Sequence, residues 1–274
     1  MLKKLSLLGG LAAASLAFAP LTTSGPYLDS QGRVWAQLPS LSDYPSAADF
    51  DREFAHEVFT TRDGHRFQID RPWTPEEEAA QAGSSQVHTS PGTVPGGSIR
   101  AAVYGTHPVD EEYRSSFNNN IPAIRSHVIG LINSADSAMK ANWGIDLIPR
   151  KGYKWDSNDS GDIVQLLDEA YREGGGLNRQ DMMIAFSNDP TPGGAIGVAY
   201  LGLPRGLIKK YGNAEANITE HEVGHMYTLN HCCDPNCTMQ AYLDTGAFHG
   251  FHNYSESCSG QNHTSVMNSQ RNRY

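Results

Sequence analysis

The stretch from His221 to His231 constrains this chain more than any other, because its three histidines lie four and then six residues apart. Residues four apart share one face of a helix, so His221 and His225 can present two imidazoles to one metal ion. Glu222 lies one residue further round the helix, where its carboxylate reaches a water at the metal without binding the ion. If the helix ends between residues 228 and 230, the chain turns back and His231 completes the site. The sequence therefore predicts a zinc centre with Glu222 as general base.

These residues resemble the extended motif of the metzincin clan of zinc metalloproteases, H-E-x-x-H-x-x-G-x-x-H. His231-Cys232 followed by Cys237-Thr238-Met239 is similar to an arrangement in archaemetzincin-like proteins, and secreted adamalysin-like metzincins also have cysteines here. The resemblance implies that the three histidines bind one Zn²⁺, that Met239 lies in a turn beneath it, and that Glu222 is base and then proton donor in peptide hydrolysis. It also implies an α+β, zincin-like fold, with an edge strand of a mixed twisted sheet over the active site.

Two features depart from that family pattern. Thr228 stands at the glycine of the motif, where a β-branched residue resists the positive φ that glycine supplies. The turn then uses Asn230 instead, or its backbone is strained. Archaemetzincins also carry a later C-x-x-C that helps bind a structural zinc, whereas Cys258 is followed by Ser259, Gly260 and Gln261. The resemblance therefore does not extend to that second zinc ion.

Several residues near the motif leave alternatives open. Met267 competes with Met239 for the place beneath the metal, although residues 263–274 are more typical of a C-terminal helix. Glu256 is an alternative third ligand, which would put the chain in another zincin clan. Two tyrosines could assist the metal or the oxyanion, and three further histidines are expected at the rim: Tyr242 and Tyr254, and His249, His252 and His263.

All four cysteines lie in the last 43 residues, at positions 232, 233, 237 and 258. An even, clustered set in an exported protein predicts two disulfides, with three pairings open. The alternative is a zinc knot that includes Cys232, Cys237 and Cys258.

The N-terminal part of the chain is expected to be removed or regulatory. Residues 1–19 combine a basic start, an apolar stretch and a small-residue cleavage signal, as in a secretory signal peptide, so we expect a secreted protein. Residues 20–97 are expected to form a pro-region and linker, with a Ser/Pro/Gly-rich segment at 84–97. In a latent precursor, Asp63 or Asp70 could ligate the metal. The alternative is an extension that merely packs on the catalytic domain, residues 98–274.

The pattern from residue 98 onward predicts an α+β architecture in which helices pack on a sheet. The run at 181–186 is continuously apolar, as in a strand covered on both faces, and the glycine-bounded run at 197–201 suits an edge strand. The remaining predicted elements precede the histidine-bearing helix: strands at 99–104 and 145–148, and helices at 113–142 and 162–173.

Charge narrows the expected partners. The chain carries 21 Lys and Arg against 30 Asp and Glu, a net charge of −9, and such a surface repels nucleic-acid phosphates. Neither nucleic acid nor, after leader removal, a membrane is expected as a partner; protein or peptide substrates are. A secreted zinc endopeptidase is the favoured function. A zinc aminopeptidase and a catalytically silent zinc-binding adhesion module are the alternatives, and the intact Glu222 argues against the last.

A calcium ion is a weaker prediction. Residues 156–162 resemble the start of a calcium loop, but Leu167 stands where such a loop needs an acid. The sequence therefore favours a turn in which Asp159 or Ser160 caps the following helix.

Overall fold

The structure is a computed structural model that describes residues 25–81, 100–243 and 250–274. Its helices are α1 (Ala47–Phe54), α2 (Pro75–Gln81), α3 (Glu111–Ser115), α4 (Ile121–Trp143), α5 (Ile163–Glu173), α6 (Glu215–Met226) and α7 (His263–Gln270). Its strands are β1 (Tyr27–Leu28), β2 (Val34–Trp35), β3 (Phe59–Thr60), β4 (Arg66–Phe67), β5 (Arg71–Pro72), β6 (Ala101–Val109), β7 (Ile145–Lys154), β8 (Met182–Ser187), β9 (Gly197–Ala199), β10 (Arg205–Lys209) and β11 (Tyr242–Leu243). The predicted signal peptide and the segment 84–97 lie outside the described residues.

The C-terminal region (residues 100–274) is built on a five-stranded sheet of order β7-β6-β8-β10-β9. The first four strands are parallel to one another, and β9 is antiparallel to β10 at one edge. Every residue of β8 is buried, because the sheet carries a core on each face. Helices α4 and α6 cover one face, and α5 covers the other. The mixed α+β architecture is therefore confirmed.

The N-terminal region (residues 25–81) contains a four-stranded sheet of order β2-β1-β3-β4 and packs on the α5 face. Its aromatic core joins that of α5, since the Tyr27 hydroxyl reaches both oxygens of Asp162 at 2.7 and 2.9 Å. The rings of Phe67 and Tyr200 meet edge to face, with their centroids 6.2 Å apart. The two regions therefore share one hydrophobic core.

The single helix predicted over 113–142 is wrong, because the structure has α3 and α4 with a break between them. Asn118 and Asn119 adopt positive φ angles of 51° and 56°, which end the first helix. Asn120 then caps α4 by accepting from the backbone N–H of Ala123, and Pro122 stands in the first turn. Three consecutive asparagines before a proline thus mark two helix ends.

The predicted element order also missed β10, which pairs with β8 and β9. Only five residues long and bounded by charged side chains, this strand has a short apolar centre at Leu207 and Ile208. Pairing on both sides, rather than local propensity, places it in the sheet.

The cap of α5 differs from the prediction as well. Asp162, not Asp159 or Ser160, is the N-cap: its carboxylate accepts from the backbone N–H groups of residues 164 and 165, and the Gln165 side chain completes a capping box. Calcium binding at residues 156–162 stays a prediction. Within the described ranges, no helix has both the length and the apolar character needed to cross a membrane.

Candidate metal centre

Helix α6 carries His221, Glu222 and His225 through the interior of the C-terminal region. Ile218, Val223 and other apolar residues of α6 join the core between the sheet and α4. The three ionisable residues are at most 1% exposed. Since a buried polar group needs a partner, the contacts of these side chains report what the site can do.

Helix α6 ends in a turn that uses Thr228 in a left-handed conformation, with φ of +73°. The Leu229 N–H donates to the Gly224 carbonyl and the Thr228 N–H to that of His225, the pattern of a Schellman cap. The proposed use of Asn230 for this turn is therefore wrong, and the strained alternative is confirmed. The Gln261 side chain holds the turn by donating to the Thr228 carbonyl and accepting from the Asn230 N–H.

This cap brings His231 back to the helix, and the three Nε2 atoms converge. They lie 3.0 Å apart for His221 and His225, 3.3 Å for His221 and His231, and 3.2 Å for His225 and His231. Bonds of about 2.0–2.1 Å at tetrahedral angles separate two zinc-bound nitrogens by about 3.3 Å. The histidines therefore stand at the spacing of a zinc site.

The opposite ring nitrogens fix the orientation of the imidazoles. Each Nδ1 lies 2.7 Å from a backbone carbonyl: His221 from Thr238, His225 from Leu229, and His231 from Ala55. Because a carbonyl only accepts, each Nδ1 carries the proton and each Nε2 keeps its lone pair for a metal. The donor set fits Zn²⁺.

Asp70 of the N-terminal region completes this group. The three histidines together with Asp70 are named here the three-histidine site. Its Oδ1 lies 2.8 Å from Nε2 of His221, 2.6 Å from that of His231 and 3.8 Å from that of His225. Burial alone would raise the pKa of Asp70, but the neighbouring His221 and His231 lower it well below its usual range. A carboxylate thus fills the fourth corner of the site.

Glu222 is fully buried beside this carboxylate and against β9. Burial and the nearby charge of Asp70 raise the pKa of Glu222 well above its usual range. A Cβ added to Gly197 would clash with Glu222 Oε1 and come within 2.8 Å of Ile218. Glycine at this position is therefore what admits the Glu222 side chain.

The chain around Asp70 runs antiparallel to the edge strand β9. Asp70 pairs with Gly197, the Ile196 N–H donates to the Asp70 carbonyl at 3.0 Å, and the Leu201 N–H donates to the Arg66 carbonyl at 2.7 Å. Beyond Asp70, strand β5 pairs in parallel with β11 on the opposite side. Residues 66–72 thus pass between two walls, each of which offers backbone hydrogen bonds.

Among the other sequence-predicted residues, Met239 lies beneath α6. A Cβ on Gly224 would clash with Met239 Sδ, and the Met239 carbonyl accepts from the Cys232 N–H at 2.8 Å. Its rival Met267 is buried in α7. Tyr242 is half-buried on β11, and its ring lies 5.0 Å from the guanidinium of Arg71.

Tyr254 and Glu256 lie apart from the three histidines. The Tyr254 hydroxyl donates to Asp234 at 2.6 Å, and its ring stands against His252. The Glu256 carboxylate accepts from the N–H of Cys258, and the structure places His231 rather than Glu256 beside the other two histidines. Partial burial would raise the pKa of Glu256, but hydrogen bonds from Ser259 and Cys258 lower it to about 2.

The cysteine prediction is half wrong. Cys233 and Cys258 form a disulfide, whereas Cys232 and Cys237 are free and buried. This bridge also removes Cys258 from the zinc knot considered from the sequence. His252 and His263 are buried rather than at the rim, while His249 lies outside the described residues.

Sequence reasoning offered Asp70 and Asp63 as possible metal ligands without choosing between them, and it did not single out Gln68 or Gly197. Asp70 lies 161 residues before His231, so no local spacing connects them. The Gln68 side chain accepts from the His231 N–H at 2.8 Å, again across the two regions. A glycine within a predicted edge strand was the one available signal, since it often marks a close approach.

This geometry defines a zinc metallopeptidase, and the family comparison agrees. Residues 107–274 match the model described as metallo-peptidase family M12 (Reprolysin_5). The match spans 168 of the 274 residues, so the chain belongs to metallo-peptidase family M12 and is of the metzincin type. The family implies a zinc cofactor and protein or peptide substrates.

Comparisons with individual proteins add little. No curated protein matches the chain. One solved structure, described as the structure of a chaperone-substrate complex, is similar at 16% identity and a TM-score of 0.48. The alignment covers 64% of this chain and 38% of that one, so this chain spans well under half of its length.

Proposed function

We propose that this metallopeptidase is a secreted zinc endopeptidase, made as a latent precursor in which Asp70 holds the position that a reacting water needs. The observation that carries the proposal is the contact of Asp70 Oδ1 with the three converging Nε2 atoms. A carboxylate that only stabilised the fold, away from the three histidines, would leave the fourth ligand position open. Here the carboxylate comes from the region that the sequence suggests is removed.

The path of residues 66–72 favours cleavage within a chain over removal of an N-terminal residue. The segment continues on both sides of Asp70, along β9 before it and along β11 after it. A groove that holds polypeptide on both sides of the residue at the metal suits an endopeptidase. After the segment leaves, the N–H groups of Ile196 and Leu201 are available to a substrate strand, which they would hold in register.

The residues of the site divide the chemistry between them. His221, His225 and His231 would hold zinc, which supplies a Lewis acid that lowers the pKa of water and polarises a peptide carbonyl. Glu222 takes the proton from the attacking water and later gives it to the leaving amine. Met239 supports the helix from below. Departure of Asp70 removes the charge that raises the pKa of Glu222, which favours its basic form.

Secretion has two supports. Residues 1–19 have the pattern of a signal peptide. The disulfide between Cys233 and Cys258 is the kind of bond that persists in oxidising compartments.

Casein cleavage by purified protein tests the proposal, after the chain is cut between residues 82 and 99. We expect internal cuts by the wild type and a loss of about 10²–10⁴-fold in the Glu222→Gln variant, with equal zinc in both. Glu256→Gln is the matched control and should retain zinc and activity. Zinc binding without any cleavage would support the silent module instead, and stepwise trimming from the N-terminus would support an aminopeptidase.

A further inference from the structure

A second group of side chains able to bind a metal begins at Cys232, the residue after His231. It consists of Cys232, Cys237, His252 and His263, named here the Cys–His cluster. Each of the four is at most 7% exposed, and their donor atoms lie within 4.8 Å of one another. Nothing in the zinc chemistry proposed above uses them.

The two histidines of this cluster have nitrogens without hydrogen-bond partners. His252 donates from Nδ1 to the Tyr254 carbonyl at 2.8 Å, which leaves a lone pair on its Nε2. That Nε2 is buried and unpaired, as is the Nε2 of His263. Burying an unpaired polar atom is costly, so the free Nε2 of His252 indicates a ligand beside it. His263 would bind the same ligand through its Nδ1, which faces Cys237.

Cys232 and Cys237 are free thiols, although a disulfide lies next to them in the sequence. Cys233, the residue after Cys232, is bonded to Cys258. The Sγ of Cys237 lies 3.3 Å from Nδ1 of His263 and accepts from the Met239 N–H at 3.4 Å. Zinc bonds of about 2.3 Å to sulfur and 2.0 Å to nitrogen would place those two atoms about 3.5 Å apart.

We propose that the Cys–His cluster binds a second, structural Zn²⁺ through Cys232, Cys237, His252 and His263. Two sulfurs and two nitrogens are a donor set that selects zinc in tetrahedral geometry. Binding releases the thiol protons, and the two thiolates balance the charge of the ion. All four positions are filled by protein, so no corner is left for water or substrate.

This ion would fasten two parts of the chain that flank the three-histidine site. The Cys232 N–H donates to the Met239 carbonyl, and the Thr238 N–H donates to the Gly250 carbonyl at 2.8 Å. The cluster adds the His252 and His263 side chains to these backbone contacts. Because Cys232 follows His231 directly, an ion bound by Cys232 would also restrain the orientation of His231.

Metal analysis of the unmodified full chain is the first test. We expect about two zinc ions per chain, and X-ray absorption at the zinc edge should show on average one sulfur per zinc. One zinc with no sulfur in its shell would overturn the proposal. So would a disulfide between Cys232 and Cys237, found by peptide mapping after alkylation without a reductant.

Variants assign the second ion. Cys237→Ser and His263→Gln should each lower zinc from two to one and remove the sulfur signal. The matched control is the double variant Cys233→Ser/Cys258→Ser, which removes the adjacent disulfide and should keep both ions. If the control loses zinc and the ligand variants do not, the proposal is wrong.

The cobalt-substituted protein separates this site from the catalytic proposal. Cobalt in the Cys–His cluster should give thiolate-to-metal charge-transfer absorption, and His225→Gln should leave that absorption unchanged. A protein with no peptidase activity but with this absorption would contradict only the proposed function. A protein that cleaves casein without this absorption would contradict only the second site.

Discussion

The three-histidine site and the Cys–His cluster share the segment 231–239 but differ in what closes them. In the first, His221, His225 and His231 come from α6 and its cap, and the fourth corner comes from Asp70 of the other region. In the second, all four donors come from residues 232–263. One site is thus completed by a part of the chain that we propose is removed, and the other takes all its donors from one stretch of the C-terminal region.

This difference indicates which of the two sites can catalyse a reaction. Nitrogen and oxygen donors with a removable fourth ligand suit a zinc ion that must accept water. Sulfur and nitrogen donors in a closed shell suit an ion that stabilises the fold. Adjacent residues, His231 and Cys232, therefore serve two opposite purposes.

Matched ligand variants give the largest contrast between the sites. In protein cut between residues 82 and 99, His225→Gln should lower casein cleavage by about a thousandfold while urea unfolding changes little. His263→Gln should lower the free energy of unfolding by about 3 kcal/mol or more, with cleavage per active-site zinc within about tenfold. Identical effects of the two variants on unfolding and cleavage would remove the distinction.

Asp70 provides the next contrast. Asp70→Ala should raise casein cleavage by the uncut chain by about 10–100-fold, since without the carboxylate the fourth ligand position opens and residues 66–72 are held less tightly in the cleft. The matched control is Asp63→Ala, at an exposed turn of the same region, which should leave the uncut chain latent. Equal activation by both variants would point to general loosening rather than to the metal contact.

Gly197 of β9 tests the placement of Glu222 in the three-histidine site. In the cut protein, Gly197→Ala should lower kcat about tenfold without loss of zinc, because the new methyl group displaces the Glu222 carboxylate. Gly130→Ala on α4 is the control, since a Cβ there meets nothing within 4 Å. Steady-state kinetics with a quenched peptide would show the difference, and unchanged kcat in Gly197→Ala would argue against this placement of Glu222.

The smallest expected effect concerns the cap between the sites. Thr228→Gly should raise the free energy of unfolding by about 1 kcal/mol, because glycine accepts a positive φ that a β-branched residue resists. Asn230→Gly, outside the positive-φ positions, should lower it by about 0.5 kcal/mol. Urea titration measures both, and a stabilising Asn230→Gly would contradict the assigned turn.

Local patterns predicted what lies within a few turns of chain. The spacing of His221 and His225 follows from helix geometry, and the apolar run of β8 follows from burial on both faces. The break between α3 and α4 also has a local signal, the asparagines at 118 and 119. The apolar periodicity continues across it, so periodicity alone predicted one helix. Strand β10 depended on its neighbours on both sides, and no local pattern identified it.

Contacts over long sequence separation were beyond local reasoning. Asp70 and Asp63 were equal candidates, because only the strand pairing with β9 decides which of them reaches the metal site. The histidines of the Cys–His cluster were expected at the rim, since each stands alone in the sequence. The pairing of Cys233 with Cys258 likewise depends on how residues 250–263 fold back.

The position of residues 66–72 in the cleft has a consequence for timing. While both regions belong to one chain, this segment meets the cleft at an effective concentration of the order of millimolar. A single cut ends that advantage but leaves the hydrogen bonds of Tyr27 to Asp162 and the contact of Phe67 with Tyr200. Cutting and release are then separate events, and a larger fraction of the cut protein should become active after dilution than in concentrated solution.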